Sequence, residues 1–226
     1  RSEFLLEKNW KFTREDSPEF INPTFNDSKW QSVTVPHDWA IYGPFSSQND
    51  KQEVAIAQDG QTEAMEHAGR TGGLPFVGVG WYRTEFEVPQ FTDGKRAKVY
   101  VNGQEVGYWP YGYNSFYFDI TKQLMPGKKN TLAVRLENLP ESSRWYPGAG
   151  LYRNVHVIVT ENAHIPVWGT YVTTPTATKE FAKVNVRTQI VLPEGADASK
   201  YSVKTSVWNP NGQKLTEQTT PLSQIK

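Results

Sequence analysis

The sequence predicts an all-β protein, and three observations carry the prediction. Aromatic residues make up 13% of the chain, and most segments alternate apolar and polar residues at a period of two. The 17 glycines and 15 prolines cut these segments into short pieces, the pattern of strands joined by frequent turns. At about 150 residues per domain, 226 residues correspond to one or two domains. The charge is balanced, with 24 Lys+Arg against 24 Asp+Glu, which removes the electrostatic case for nucleic acid or an anionic membrane as partner. Apolar runs as short as Val157-Ile158-Val159 fall far below the roughly 20 residues of a membrane-spanning helix. No cysteine is present, so disulfides, thiolate zinc sites and a cysteine nucleophile are excluded. The sequence opens at Arg1 without an initiator Met or an apolar leader. It is therefore an excised piece, or a targeting peptide has been removed, in which case a periplasmic or secreted location is favoured.

The elements follow in order. Trp81-Tyr82-Arg83-Thr84-Glu85-Phe86-Glu87-Val88 puts Tyr82, Thr84, Phe86 and Val88 on one face and mostly charged residues between them, as in a half-buried strand. Lys98–Val101 runs into Asn102-Gly103, a strong hairpin signal, and returns through Glu105–Tyr108. Further strands are predicted at Phe116–Phe118, Thr131–Leu136 and Val155–Thr160. Helical signals are brief: Asp119 caps a turn over Ile120–Leu124, and Thr62–His67 forms one or two turns. Those turns sit in a 38-residue stretch, Gly43–Gly80, with little periodicity; loops that long are usually functional or disordered. Gly69-Arg70-Thr71-Gly72-Gly73 and Gly78-Val79-Gly80 give it hinge-like freedom.

The polar segment Glu161–Pro166 divides the chain into predicted domains 1–163 and 164–226. In the second, Lys183–Leu192 alternates with Val184, Val186, Thr188 and Ile190 on one face, and Ser202–Trp208 repeats the pattern. Asn209-Pro210-Asn211-Gly212 turns the chain toward a partner strand near Lys214–Thr219. About four strands result, against about seven in a closed immunoglobulin-like sandwich, so this domain is expected to be incomplete and the chain a fragment.

Few motifs carry chemistry. The histidines at 37, 67, 156 and 164 have no metal-ligand spacing. His37-Asp38 could suggest acid–base work, but with no nucleophile placed nearby it reads as a structural turn with a satisfied imidazole. Gly78-Val79-Gly80 precedes a strand and lacks the following Lys of a phosphate cradle. Asn26-Asp27-Ser28 has the form of a glycosylation sequon. Two aromatic segments stand out: Tyr108-Trp109-Pro110-Tyr111-Gly112-Tyr113-Asn114-Ser115-Phe116, and Arg144-Trp145-Tyr146-Pro147-Gly148-Ala149-Gly150-Leu151-Tyr152-Arg153. Ring faces stack on the C–H faces of a sugar while amides and guanidinium groups bond its hydroxyls. Rings of this kind also serve as sandwich core or as glue to a neighbouring domain.

Around these segments the sequence resembles the non-catalytic N-terminal part of family 2 glycoside hydrolases. The resemblance rests on Trp30-Gln31-Ser32-Val33-Thr34-Val35-Pro36-His37-Asp38-Trp39, on Gly80-Trp81-Tyr82-Arg83, and on Val99-Tyr100-Val101-Asn102-Gly103-Gln104-Glu105-Val106-Gly107. It continues through Phe118-Asp119-Ile120-Thr121, Gly127-Lys128-Lys129-Asn130-Thr131-Leu132-Ala133-Val134 and Gly150-Leu151-Tyr152-Arg153-Asn154-Val155. It implies a jelly-roll (galactose-binding-like) β-sandwich followed by a partial immunoglobulin-like β-sandwich. In the family a (β/α)₈ barrel comes next and carries the two glutamates of retaining hydrolysis, so no catalytic residue, metal or cofactor is expected here. Bacterial β-galactosidases are the members most similar to this sequence. The family's loops can reach the barrel mouth, and the matching positions make Tyr111, Asn114, Arg144, Trp145 and Tyr146 the candidate substrate-binding residues. Tyr111 stands where some galactosidases use an Asp. One departure is a strand of the family that is missing between Gly94-Lys95-Arg96-Ala97 and Lys98. Either residues are absent at that junction or the sandwich is strained or swapped, since a lost interior strand exposes ladder groups and a core face.

Three functions compete. The chain is the accessory portion of a retaining exo-β-glycosidase, with its own C-terminal catalytic domain, a β-linked oligosaccharide and homo-oligomer contacts as partners. Alternatively it is a free-standing carbohydrate-binding module, or a purely structural pair of sandwiches. An incomplete second domain argues against the last two.

Overall fold

The computed structural model describes residues 2–49, 51–68, 76–88, 101–109, 113–138 and 148–224. The chain divides into two compact units, Arg1–Thr160 and Glu161–Lys226. The predicted Ala97–Lys98 junction and most of the Lys98–Val101 strand lie outside the described residues.

In the first unit, β1 (Ser2–Leu5), β2 (Trp10–Thr13) and β3 (Gln31–Val33) come first. They are followed by β4 (Lys51–Val54), β5 (Met65–Ala68), β6 (Gly78–Glu87), β7 (Lys129–Asn138) and β8 (His156–Val159). The main sheet has the order β3-β2-β6-β7 and is antiparallel throughout. β1 pairs with β8, and β4 with β5. Tyr82, Phe86 and Val88 are buried as the alternation predicts, against Trp10, Phe12, Trp39, Ile120 and Leu132. Val157 and Val159 of β8 join the same core.

The other face of β6 is a correction to the sequence reading. Trp81 and Arg83, expected in solvent, are buried, Arg83 to 2% exposure. The segment after β2 folds over them, and Phe20 packs edge-on against Trp81 and Trp30. The Arg83 guanidinium donates to Asp27 Oδ2 at 2.9 Å and to the Phe20 carbonyl, so a cation is buried with its partners. Asp27 of the sequon-like triplet is therefore a counter-ion.

The same layer holds Asp16, which accepts hydrogen bonds from Arg135 (2.7 and 2.9 Å) and from the Trp81 indole (2.8 Å). Arg135 above all, with Trp81, lowers the Asp16 pKa to about 2 from an ordinary 3.8. A carboxyl depressed in the folded state stabilises fully above its unfolded value and loses that contribution as pH falls through its folded value. Asp16→Asn is thus expected to flatten the fall in melting temperature between about pH 4 and pH 2. An unchanged slope would show that the contacts carry no linked stability.

Three further expectations change. Thr62–His67 is not helical: Met65–Ala68 is strand β5, paired with β4 in a hairpin inside the long Gly43–Gly80 stretch. Among the described residues these strands pair with each other alone, without the second layer that would impose an apolar face. Phe116–Phe118 is irregular rather than a strand. The Asn102-Gly103 turn forms as expected, with both residues at positive φ (61° and 75°) and Val101 bridged to Gln104. Glu105–Tyr108, however, does not return as a strand.

The second unit contains β9 (Thr170–Ala177), β10 (Ala182–Thr188), β11 (Ser202–Trp208) and β12 (Lys214–Pro221). They form two separate antiparallel hairpins, β9-β10 and β11-β12. Val172 lies opposite Val186, and both are exposed, as are Val184, Trp208 and Leu215. Among the described residues of this unit no large hydrophobic side chain is buried.

Candidate functional site

The motifs that carry the family resemblance meet in space as two clusters. In the first, Asn102 bonds Thr131 through both its backbone N–H and its side-chain oxygen, each at 2.9 Å. Its amide donates to the Gln123 carbonyl (2.8 Å) and to Asn130 Oδ1 (2.9 Å). Asn130 is fully buried and bonds both the N–H and the carbonyl of Met125. Asp119 caps the turn that follows it by accepting from the Thr121 N–H at 3.1 Å. Two asparagines thus fasten three chain segments, each amide with its partners inside the protein.

The second cluster forms around His37-Asp38-Trp39. Asp38 Oδ1 accepts from the N–H groups of Ala40 (2.9 Å) and Ala149 (3.0 Å). The Trp39 N–H donates to the Ala149 carbonyl at 2.8 Å, and the His37 N–H to the Leu151 carbonyl at 2.9 Å. Glycines permit the approach: a Cβ at Gly148 would stand 2.7 Å from Asp38 Oδ2, and one at Gly150 would overlap the His37 carbonyl oxygen. Gly80 approaches the Trp39 ring as closely, at 2.6 Å for an added Cβ. His37 Nδ1 shares a 2.6 Å hydrogen bond with the Tyr82 hydroxyl. Burial pushes the His37 pKa down, with Asp38 opposing and Arg14 reinforcing it, and burial raises that of the Tyr82 phenol. Both shifts favour the neutral forms, and a 2.6 Å hydrogen bond between imidazole and phenol fits a structural pair.

Of the predicted sugar-binding residues, Asn114 is described and exposed, whereas Tyr111, Arg144, Trp145 and Tyr146 lie outside the described residues. Around Asn114 the rings of Tyr108, Trp109, Tyr113 and Phe116 are exposed. Trp109 stacks on Phe116 at 5.7 Å and 18°, and Phe116 leans on Phe118. Exposed ring faces beside an amide suit a pyranose. The Asp38 clamp fixes Ala149, two residues after Pro147 in the sequence. Sequence reasoning passed over both the clamp and the asparagine pair. The glycines at 148 and 150 were the available signal for the clamp. Among the described residues no group of three or more acidic or histidine side chains is placed to hold a metal, and no helix is long and apolar enough to cross a membrane.

The fold and these clusters define a β-sandwich scaffold. No family model matches the chain. It is 35% identical over 96% of its length to the β-galactosidase BoGH2A of Bacteroides ovatus, covering 25% of that protein. It is 32% identical over 84% of its length to a putative β-glucuronidase of Formosa agariphila, covering 18% of that protein. A glycosyl hydrolase family 2 member from Bacteroides cellulosilyticus superposes with a TM-score of 0.77 at 31% identity, over 97% of this chain and 28% of that one. The chain thus spans about a quarter of the length of BoGH2A and of the Bacteroides cellulosilyticus protein. It matches the N-terminal region of glycoside hydrolase family 2 enzymes, and its fold is all-β, a jelly-roll sandwich followed by a partial immunoglobulin-like one.

Proposed function

We propose that this chain is the accessory N-terminal portion of a retaining exo-β-glycosidase of the β-galactosidase type. In this reading it shapes one wall of a sugar pocket whose catalytic groups belong to the rest of the parent protein. The observation that carries it is the similarity to the β-galactosidase BoGH2A along nearly the whole chain but only a quarter of that enzyme. Residues 1–163 are the sugar-facing domain and 164–226 the start of the linking one. Tyr111, Asn114, Arg144, Trp145 and Tyr146 contact the β-linked substrate. The exposed rings flanking Asn114 and the clamp that anchors the chain just after Pro147 support these assignments.

The test has two arms. The isolated chain is expected to leave 4-nitrophenyl β-galactoside uncleaved, while the full-length parent cleaves it in preference to the β-glucuronide. In the parent, Trp145→Ala is expected to raise KM about tenfold with a smaller change in kcat, the loss of one good sugar contact. Turnover by the isolated chain would remove the accessory reading. Preference for the glucuronide would replace the galactosidase assignment with the activity named for the Formosa relative.

A further inference from the structure

An open cleft of about 660 Å³ lies against the edge strand β3, lined by Lys8, Asn9, Lys11, Ser32, His37 and Tyr42 among others. Its volume falls in the range of about 300–1,000 Å³ usual for ligand sites. None of its lining residues belongs to the aromatic segments assigned to the substrate above.

Both walls are held in place by hydrogen bonds and ring packing. On one side, Asn9 adopts a left-handed conformation (φ 64°) in the turn that carries Lys8. The Trp10 indole donates across that turn to the Leu6 carbonyl (2.9 Å), the Thr84 hydroxyl donates to the Asn9 carbonyl (3.1 Å), and the Val35 N–H donates to the Glu7 carbonyl (2.8 Å). On the other side, Tyr42 ends the 3₁₀ turn Ala40–Tyr42 and is 72% exposed. Its ring is nonetheless oriented, stacked on His37 at 6.0 Å and 22°, and His37 is itself fixed by Tyr82. A site ordered before the ligand arrives loses little entropy on binding.

The lining chemistry is selective. An exposed ring with a rigid backing offers a stacking face to a pyranose. Lys8 and Lys11 supply two ammonium groups, and no carboxylate is among the lining residues. Lys11 Nζ donates to Ser32 Oγ at 2.9 Å, which orients it and leaves further N–H donors for a ligand. We propose that this cleft binds an anionic saccharide unit, a uronate or a sulfated pyranose, stacked on Tyr42 with its acid group held by Lys8 and Lys11. The site is independent of the substrate assignment above and stands whichever glycoside the parent hydrolyses.

Titration of the 226-residue chain with methyl β-glucuronide, galactose 6-sulfate and neutral methyl β-galactoside tests this directly. At least one anionic probe is expected to bind with Kd near or below about 1 mM and about tenfold more tightly than the neutral sugar, the advantage of a charge-assisted contact. That advantage is expected to shrink in high salt and to vanish in the double variant Lys8→Gln/Lys11→Gln. Tyr42→Ala is expected to weaken every probe; Lys8 and Tyr42 are exposed and Lys11 half-buried, and the fold of each variant is checked by near-UV circular dichroism. The acid that binds more tightly identifies the ligand's source. Equal binding of neutral and anionic sugars, a preference that survives the double variant, or no binding by any probe would each overturn the proposal.

Discussion

Replacing Gly150 by alanine is expected to destabilise the first unit by roughly 3–5 kcal/mol, among the largest single-site effects. Two physical terms combine. At φ +151° an alanine is strained wherever it sits, and here its Cβ would overlap the His37 carbonyl oxygen. That oxygen belongs to backbone pinned by the Asp38 clamp on one side and by the His37–Tyr82 hydrogen bond on the other. It cannot retreat without breaking the 2.8 Å and 2.9 Å links to Ala149 and Leu151. Gly60 supplies the control, because its φ is also positive (+74°) but nothing lies within 4 Å of an added Cβ. Gly60→Ala should therefore cost only about 1 kcal/mol. Urea denaturation of the two variants measures the difference. Equal costs would mean that the clamp yields, and that the segment beginning at Gly148 is not fixed by it.

Asp27→Ala is expected to cost about 3 kcal/mol, because it leaves the buried Arg83 guanidinium without its counter-ion. Asp27 keeps 29% of its side-chain exposure, so entering water offsets part of the loss and places the effect at the lower end of the usual range. Arg83→Met in the same background removes the stranded charge and keeps an unbranched side chain among Phe20, Phe25 and Trp81. The double variant is therefore expected to be more stable than Asp27→Ala alone. A double-mutant cycle reads the coupling directly. Strict additivity of the two substitutions would show that the pair contributes no interaction of its own.

These two sites mark where the sequence was legible and where it was not. The all-β class and the strands Gly78–Glu87, Lys129–Asn138 and Ser202–Trp208 follow from a period of two. In the first two that signal is strong because each has at least one face that must avoid water. Burial of the second face of β6 could not be read, since a charged residue in an alternating strand ordinarily points to solvent. What reverses the rule is Asp27, 56 residues earlier in the chain. The β4–β5 hairpin escaped for the opposite reason, having no buried face to impose a pattern. At the candidate site the aromatic composition was visible, but not its support. The Asp38–Ala149 bond spans 111 residues, and no local spacing rule connects positions so far apart.

The uncovered hairpins of the second unit have a thermodynamic consequence. A two-stranded hairpin is marginal in water by itself, and Glu161–Lys226 offers no described interior whose melting could be cooperative. The heat absorbed on unfolding, and the midpoint drawn from it, accordingly belong to Arg1–Thr160, the unit that holds every substitution discussed above. The tryptophans divide less cleanly. Trp10, Trp39 and Trp81 of the first unit are buried, whereas Trp109 of that unit and Trp168 and Trp208 of the second are exposed. Loss of near-UV ellipticity therefore reports chiefly the first unit, while quenching of fluorescence by a soluble ion reports exposed rings of both.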